Sequence, residues 1–372
     1  MSSPRDNPHT EMCHVKKKGI DADLALLTMV VISCAPYKIE EKVKSDFYTI
    51  RNSQKMEALF TSIGAKIVSL TVPDKNGNPT NIAVGFNNEH QYSKRFRTEI
   101  GKYSTGIMKG GFIQKEKDPQ LAINDVQTLL PGMQGFQLKE WNVVKQDEHT
   151  LIFTYPSDDG KGDSPMNSTV KVSYTLTEAN ELKIKYNANI DQSADVYLTN
   201  QFFFNLNGEG SGTIGKHLLL IGADYFIPVD TNLISMEQPV PVKGSPFDFT
   251  KPTAIGVRIN DNNDQLKNAR GYNHNFVLNR HSRRTPVARV LGDKSGIIMQ
   301  VYTDLSCIKF CTGNAMQSEN QMRNYNCNFR AAFCLKTQHF PLPANHPDVL
   351  SAVLKPGNCY SSLTIYQFAL TG

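Results

Sequence analysis

The sequence predicts an all-β protein, built as a large twisted antiparallel β-sandwich, and three observations support this. Apolar and polar residues alternate with a period of two through several long segments. Clusters of turn-forming residues separate these segments, as between the strands of hairpins. No stretch of about 12 residues shows an apolar stripe at helical spacing, and strands do not alternate with helices. Packed antiparallel sheets are the architecture that this pattern favours.

The alternating segments can be followed along the chain. An early strand ends in a turn-rich stretch at residues 73–77, PDKNG. Residues 170–176 and 182–190 form a predicted hairpin across the segment TEANE. The alternating positions of all the predicted strands are Val68, Leu70, Val72; Leu151, Phe153, Tyr155; Val170, Val172, Tyr174, Leu176; Leu182, Ile184, Tyr186, Ala188, Ile190; Ile297, Met299, Val301; Leu363, Ile365, Gln367.

Length and composition predict one globular domain with an N-terminal extension. The chain has 372 residues, 40% hydrophobic and 20% charged, which is typical of a folded protein. A single large all-β domain can use this length. Because no linker-like stretch interrupts the chain after residue 41, we predict one domain over residues 41–372. Residues 1–40 are predicted to be disordered, a signal segment or the product of an alternative start.

The charge pattern argues against a nucleic-acid partner. The net charge is +5, but basic residues are dispersed, with small knots only at residues 16–18 and 280–284. Nucleic-acid binding proteins usually concentrate such charge on one face. No metal and no cofactor are predicted, because the seven cysteines include no CxxC pair and no regular framework.

The cysteines and the N-terminus bear on the compartment. Free thiols, including Cys307 and Cys311 as buried strand residues, fit a reducing cytoplasm. Residues 24–35, LALLTMVVISCA, leave secretion open, because they resemble the apolar part of a signal peptide. They are too short for a stable membrane span, which needs about 20 apolar residues. Met12 and Met29 are alternative start positions.

Eight segments spread along the chain resemble short sequence patterns of one known protein family. The segment TNQFFFNL at residues 199–206 resembles T-N-H-x-Y-F-N-L, and AFCLKTQ at residues 332–338 resembles G-F-C-L-E-T-Q. Further similar segments are NIAVGF (81–86), GADYFIPVD (222–230), GSPFDF (244–249), GYNHNF (271–276), TGN (312–314) and LKPG (354–357). Together these segments resemble the aldose 1-epimerase (galactose mutarotase) family, and the resemblance implies the galactose mutarotase-like supersandwich with a sugar cleft.

The resemblance also implies an acid–base pair, and this chain departs from it. Mutarotation needs a base at the anomeric hydroxyl and an acid at the ring oxygen. The family places a His as the acid where this chain has Gln201, and a Glu as the base where it has Lys336. An amide has no exchangeable proton near neutral pH. We therefore name no catalytic residue with the family's own chemistry.

The expected cleft combines these two positions with others that the resemblance assigns. Gly106 replaces a sugar-binding Arg, Leu130 a His, and Asn273 an Asp, while Leu305 and Lys309 stand near Gln positions. The cleft positions are Thr105, Gly106, Leu130, Gln201, Phe203, Asn273, Leu305, Lys309 and Lys336. Retained Asn205 and Asn314 are expected to bond the backbone, and His274 to support its strand.

Three hypotheses remain open from the sequence. The first is a non-catalytic family member that binds a carbohydrate or an acidic sugar derivative, as a monomer or weak dimer. The second is an active aldose 1-epimerase acting on hexoses, with Lys336 as a base of lowered pKa. The third is a secreted lectin-like binder.

Overall fold

The structure is a computed structural model of the whole chain, and its description covers the following residues: 47–85, 106–107, 112–113, 139–157, 168–191, 194–196, 198–231, 233, 235–236, 238–314, 316, 321–322, 325–326, 328–340, 353–354 and 357–371. These residues fall in one compact unit, Lys44–Gly372. The N-terminal extension predicted for residues 1–40, with its apolar run, lies outside the described residues.

Strands dominate the described part of the chain. They are β1 (Phe47–Arg51), β2 (Glu57–Thr61), β3 (Lys66–Pro73), β4 (Pro79–Asn81), β5 (Gly106–Ile107), β6 (Phe112–Ile113), β7 (Asn142–Gln146), β8 (Thr150–Ser157), β9 (Ser168–Leu176), β10 (Glu181–Ile190), β11 (Ala194–Val196), β12 (Asn200–Gln201), β13 (Leu218–Ile221), β14 (Tyr225–Ile227), β15 (Val240–Pro241), β16 (Thr253–Ala254), β17 (Asn273–Val277), β18 (Ala288–Leu291), β19 (Ile297–Thr303), β20 (Cys307–Cys311), β21 (Gln321–Met322), β22 (Tyr325–Asn326), β23 (Cys334–Gln338), β24 (Val353–Leu354) and β25 (Cys359–Leu370). One short helix, α1 (Asp264–Ala269), is also described, and Asn263 caps its N-terminus by accepting a hydrogen bond from the Gln265 amide.

Two large sheets carry the architecture. The larger has nine strands in the order β16-β13-β18-β19-β25-β10-β9-β8-β7, and the second has five in the order β15-β14-β17-β20-β23. A separate sheet has four strands in the order β1-β2-β3-β4. Every one of these pairings is antiparallel. The predicted all-β class and its antiparallel packing are therefore confirmed.

The central hairpin forms as the period-two pattern predicts. Strands β9 and β10 pair with Leu176 opposite Leu182 and Val170 opposite Ala188. Their alternating apolar side chains are buried, including Tyr174, whose hydroxyl donates to the Ala65 carbonyl at 2.8 Å. Burial of such apolar area is the main source of sheet stability.

The last strand, β25, is present, but its buried face differs from the apolar positions that suggested it. The inward side chains are Ser362, Thr364, Tyr366 and Phe368, whereas Leu363 is only half-buried. The polar atoms of Thr364 and Tyr366 find hydrogen-bond partners inside, which offsets the cost of their burial. The Tyr366 hydroxyl, for example, donates to the Leu335 carbonyl at 2.9 Å.

Contacts between β25 and β23 show which side of the five-stranded sheet faces the core. The hydroxyl oxygens of Thr337 and Thr364 lie 2.6 Å apart, and both residues are buried. Because side chains alternate across a strand, Leu335 and Thr337 face the nine-stranded sheet, and Cys334 and Lys336 face away from it. The outer face of the five-stranded sheet is where the polar residues of the candidate site lie.

Candidate functional site

Strand register brings one polar row across the outer face of the five-stranded sheet. Asn275 of β17 lies opposite Lys309 of β20, and Lys309 lies opposite Lys336 of β23. Directly opposed side chains on antiparallel strands have Cβ atoms about 4.5–5.5 Å apart. We call this side of the sheet the lysine face, and its described members on β17, β20 and β23 are Asn273, Asn275, Val277, Cys307, Lys309, Cys311, Cys334, Lys336 and Gln338.

Strand β12 extends the polar row by one position. Phe204 and Phe333 exchange both backbone hydrogen bonds, at 2.7 and 2.9 Å, in an antiparallel bridge. Strand β12 also lies in contact with β23, and counting back from the Phe204–Phe333 pair along antiparallel chains puts Gln201 next to Lys336 in register. Gln201 is buried, and its backbone partner on β5 is Gly106. Three positions assigned from separate motifs, Gly106, Gln201 and Lys336, are therefore neighbours.

A second row on the lysine face is apolar and forms its floor. Cys311 lies opposite Cys334, and both pack with Phe203, Met316 and Val68 in a buried cluster. Burial raises the pKa of both thiols, so they stay protonated and act as small apolar side chains. Both thiols are free, as is that of Cys307, which confirms the prediction of buried strand thiols.

Lys309 is the most unusual residue of the polar row. Its side chain is half-buried, and its ammonium has no hydrogen-bond or ion-pair partner within the described residues. Burial lowers the pKa of Lys309, because desolvation disfavours the charged form; the nearby thiols of Cys311 and Cys334 oppose the shift. At a given pH, a larger fraction of Lys309 is therefore neutral than of an exposed lysine.

Asn275 is held rigidly beside Lys309. Its side-chain oxygen accepts from the Gln338 amide at 3.0 Å, and its side-chain nitrogen donates to the Ser235 hydroxyl at 3.1 Å. Only 3% of Asn275 is exposed. Neither Asn275 nor Gln338 was among the predicted site residues. Asn275 follows Asn273 by two residues, so both lie on the same side of β17, and this alternation could have identified Asn275.

His274 belongs to the core and not to the lysine face. It is fully buried, and its ring packs edge-on against Phe247 with centroids 4.6 Å apart. Its Nδ1 accepts from the Asn273 amide at 3.1 Å. Burial lowers the pKa of His274 to about 3, and the Lys309 charge adds to this, so the imidazole is neutral. Its position is the structural one that the sequence led us to expect.

The remaining predicted cleft residues have different positions. Asn273 lies on the lysine face in the row of the two thiols. Leu305 is buried in the turn between β19 and β20, outside the strands that form the face. Thr105 and Leu130 lie outside the described residues.

Two retained asparagines bond the backbone, as predicted. The Asn205 side chain donates to the carbonyls of Gly212 at 3.0 Å and Ala331 at 2.9 Å. Asn314 donates to the carbonyls of Ala269 at 2.8 Å and Tyr272 at 2.9 Å. Asn314 thereby ties the end of α1 to the chain entering β17, which carries three residues of the lysine face.

Fold and site together define a β-sandwich protein with a polar, amide- and amine-bearing sheet face. The sequence model of the family described as aldose 1-epimerase matches residues 46–367. The chain belongs to this aldose 1-epimerase family.

Similar proteins of known name cover most of the chain. It is 33% identical over 323 residues to a galactose mutarotase from Sus scrofa, spanning 86% of this chain and 92% of that protein. It is 29% identical over 327 residues to an aldose 1-epimerase from Escherichia coli, spanning 86% and 94%. The likeness in sequence therefore spans nearly the whole length of these relatives.

Solved structures show the same fold. A GalM/aldose epimerase homologue from C. elegans superposes with a TM-score of 0.72 at 20% identity, covering 88% of this chain and all of that one. A galactose 1-epimerase from Lactobacillus acidophilus also has a TM-score of 0.72, at 22% identity, covering 88% and 99%. The predicted supersandwich architecture is confirmed by these likenesses.

Proposed function

We propose that this chain is a non-catalytic member of the aldose 1-epimerase family that binds a carbohydrate on the lysine face. The observation that carries the proposal is the adjacency of Gln201 and Lys336. Both substitutions fall at neighbouring positions, and therefore act on one site.

Neither residue suits the proton transfers of mutarotation. The Gln201 amide has no proton to give to a ring oxygen near neutral pH. Lys336 carries a cation where the family's Glu carries a carboxylate. Positioned acids and bases are each worth about 10² to 10⁴ in rate, so losing both removes most of the catalysis.

The ligand we propose is a carbohydrate or an acidic sugar derivative. Amides such as those of Asn275 and Gln338 pair with hydroxyls, and two lysines on one face favour a carboxylate or phosphate over a neutral group. No carboxylate stands among the described members of the lysine face on β17, β20 and β23.

A ligand screen tests this proposal. Thermal shift with glucose and galactose beside glucuronate and glucose 6-phosphate should give the larger stabilisation with the acidic ligands, since binding to the native state alone raises the unfolding temperature. The Lys336→Gln and Lys309→Gln variants should reduce that difference, and the exposed Lys243→Gln variant should leave it unchanged. No shift with any of the four ligands would refute a carbohydrate-binding role.

An active aldose 1-epimerase is the second candidate, favoured by the lowered pKa of Lys309. A neutral amine in the polar row is a possible base, although the sequence had assigned that role to Lys336. On this alternative, hexose mutarotation would exceed the buffer rate and fall on Lys309→Met or Lys336→Met.

We also propose a compartment, an assembly state and a domain boundary for this chain. We propose a cytoplasmic monomer or weak dimer without nucleic-acid partners, folded as one domain over residues 41–372. No helix within the described residues is long and apolar enough to cross a bilayer. N-terminal sequencing of the native protein tests the secreted, lectin-like alternative: cleavage near residue 35 would support it, and an intact residue 1 would oppose it. Sedimentation tests the assembly.

A further inference from the structure

The middle of the polar row holds an amine whose surroundings favour its uncharged form. Lys309 lies between Asn275 on β17 and Lys336 on β23. The adjacent row holds the thiols of Cys311 and Cys334, which burial keeps neutral, and the ring of Phe203 packs with them. Nothing described around Lys309 neutralises an ammonium with a carboxylate.

These surroundings match the two arrangements known to activate a lysine as a nucleophile. One is desolvation against apolar groups, and the other is a second cation close by. Lys309 has the first, because burial lowers its pKa. Its position also resembles the second, because the next side chain in its row is Lys336. The side chain is nevertheless half-buried and not sealed, so a small reagent can reach it.

The ligand class of the proposed site brings a matching electrophile. Aldoses equilibrate with an open-chain form whose terminal carbon is an aldehyde, and neutral amines condense with aldehydes. We propose that Lys309 is a nucleophilic amine that forms an imine with the aldehyde carbon of an open-chain sugar or sugar fragment on the lysine face. The inference rests on the proposed carbohydrate-binding role of this face.

The step balances without a further reagent. The Lys309 nitrogen lone pair attacks the carbonyl carbon, a C–N bond forms, and the carbonyl oxygen takes a proton to give a carbinolamine. The nitrogen then loses its proton and forms the C=N bond as the hydroxyl departs with a proton as water. One amine and one aldehyde give one imine and one water, with no change in oxidation state.

Reductive trapping tests the inference in the intact wild-type protein. Glycolaldehyde with sodium cyanoborohydride at pH 7 converts an imine to a stable secondary amine, which peptide mass spectrometry locates. Each pKa unit changes the fraction of neutral amine about tenfold. We expect early adduct at Lys309 to exceed that at exposed Lys243 and Lys251, by about tenfold for each unit by which burial lowers the pKa of Lys309.

Matched variants and a separate binding assay make the result interpretable. Lys309→Arg keeps the positive charge but should lose the fast adduct, while Lys243→Arg should keep it. Labelling of Lys309 no faster than that of Lys243 or Lys251 in the wild-type digest would overturn the inference, whether or not the variants fold. Glycolaldehyde is small enough to react without a sugar-binding site, so failed trapping counts against the amine. Failure of every sugar in the thermal-shift screen counts against the proposed function.

Discussion

Asn314 is predicted to be a principal support of β17, the strand that carries Asn275 of the polar row. Its side chain is 8% exposed and makes three hydrogen bonds. Its nitrogen donates to the Ala269 and Tyr272 carbonyls, and its oxygen accepts from the Thr312 hydroxyl at 2.6 Å. The perturbation to make is Asn314→Ala.

The expected cost follows from which partners find a substitute. The Tyr272 carbonyl keeps the Thr312 amide at 3.1 Å, and the Thr312 hydroxyl keeps that carbonyl at 3.3 Å. The Ala269 carbonyl has no other hydrogen bond in the described part of the chain. One buried orphan costs about 1–3 kcal/mol, and the two other lost bonds about 1 kcal/mol together, giving roughly 2–4 kcal/mol.

Urea unfolding at pH 7, followed by fluorescence, measures this cost as the change in the free energy of unfolding. Asn314→Asp should be at least as destabilising, because a carboxylate would face two carbonyl oxygens without a donor. Asn262, exposed before the same helix, provides the control; its change to Ala should stay within about 0.5 kcal/mol. A cost below about 0.5 kcal/mol for Asn314→Ala would refute the reasoning.

Three further predictions concern buried charge and the proton-transfer positions. Burial lowers the pKa of His217 from 6.5 to about 4, so the unfolded state binds more protons between these pH values. The free energy of unfolding should therefore fall by roughly 3 kcal/mol as pH drops from 6.5 to 4. Urea unfolding should show this slope, and the His217→Gln variant should flatten it. An unchanged slope in that variant would contradict the assignment. Lys309→Met should raise the free energy of unfolding at pH 7 by about 1.4 kcal/mol for each unit by which burial lowers the pKa of Lys309. This gain should disappear as pH rises through the folded pKa of Lys309 towards its unfolded value. Chemical unfolding from pH 7 to 10 measures the gain, and its absence at pH 7 would contradict the prediction. The double variant Gln201→His, Lys336→Glu should exceed either single variant in glucose mutarotation by on the order of 10², because the two neighbours act as one pair; equal rates in all three, measured by polarimetry, would speak against the assigned positions.

The strands that sequence predicts well are those whose buried face is apolar. The segments that contain Val170 and Leu182 predict β9 and β10, because buried apolar side chains alternate with outward polar ones. In β25 the inward residues include Thr364 and Tyr366, and the buried hydrogen bonds that make them tolerable come from a separate strand, β23. Periodicity therefore located β25 but selected its other face.

The candidate site could be predicted in its residues but not in its arrangement. Motif likeness identified Gln201, Lys336 and Lys309 one by one. They share a row only because strands that are distant in the sequence pair with each other, and local sequence does not encode that register. The alternation after Asn273 could have placed Asn275 on the same side of β17, but its position opposite Lys309 depends on the strand register.

The most direct test is the polarimetric rate of freshly dissolved α-D-glucose and α-D-galactose with the purified wild-type protein, and with a porcine galactose mutarotase as the positive control. With Gln201 and Lys336 unable to exchange protons as a pair, the optical rotation should relax at the buffer rate at every concentration of the protein. A relaxation rate that rises in proportion to the concentration of this chain would contradict the account.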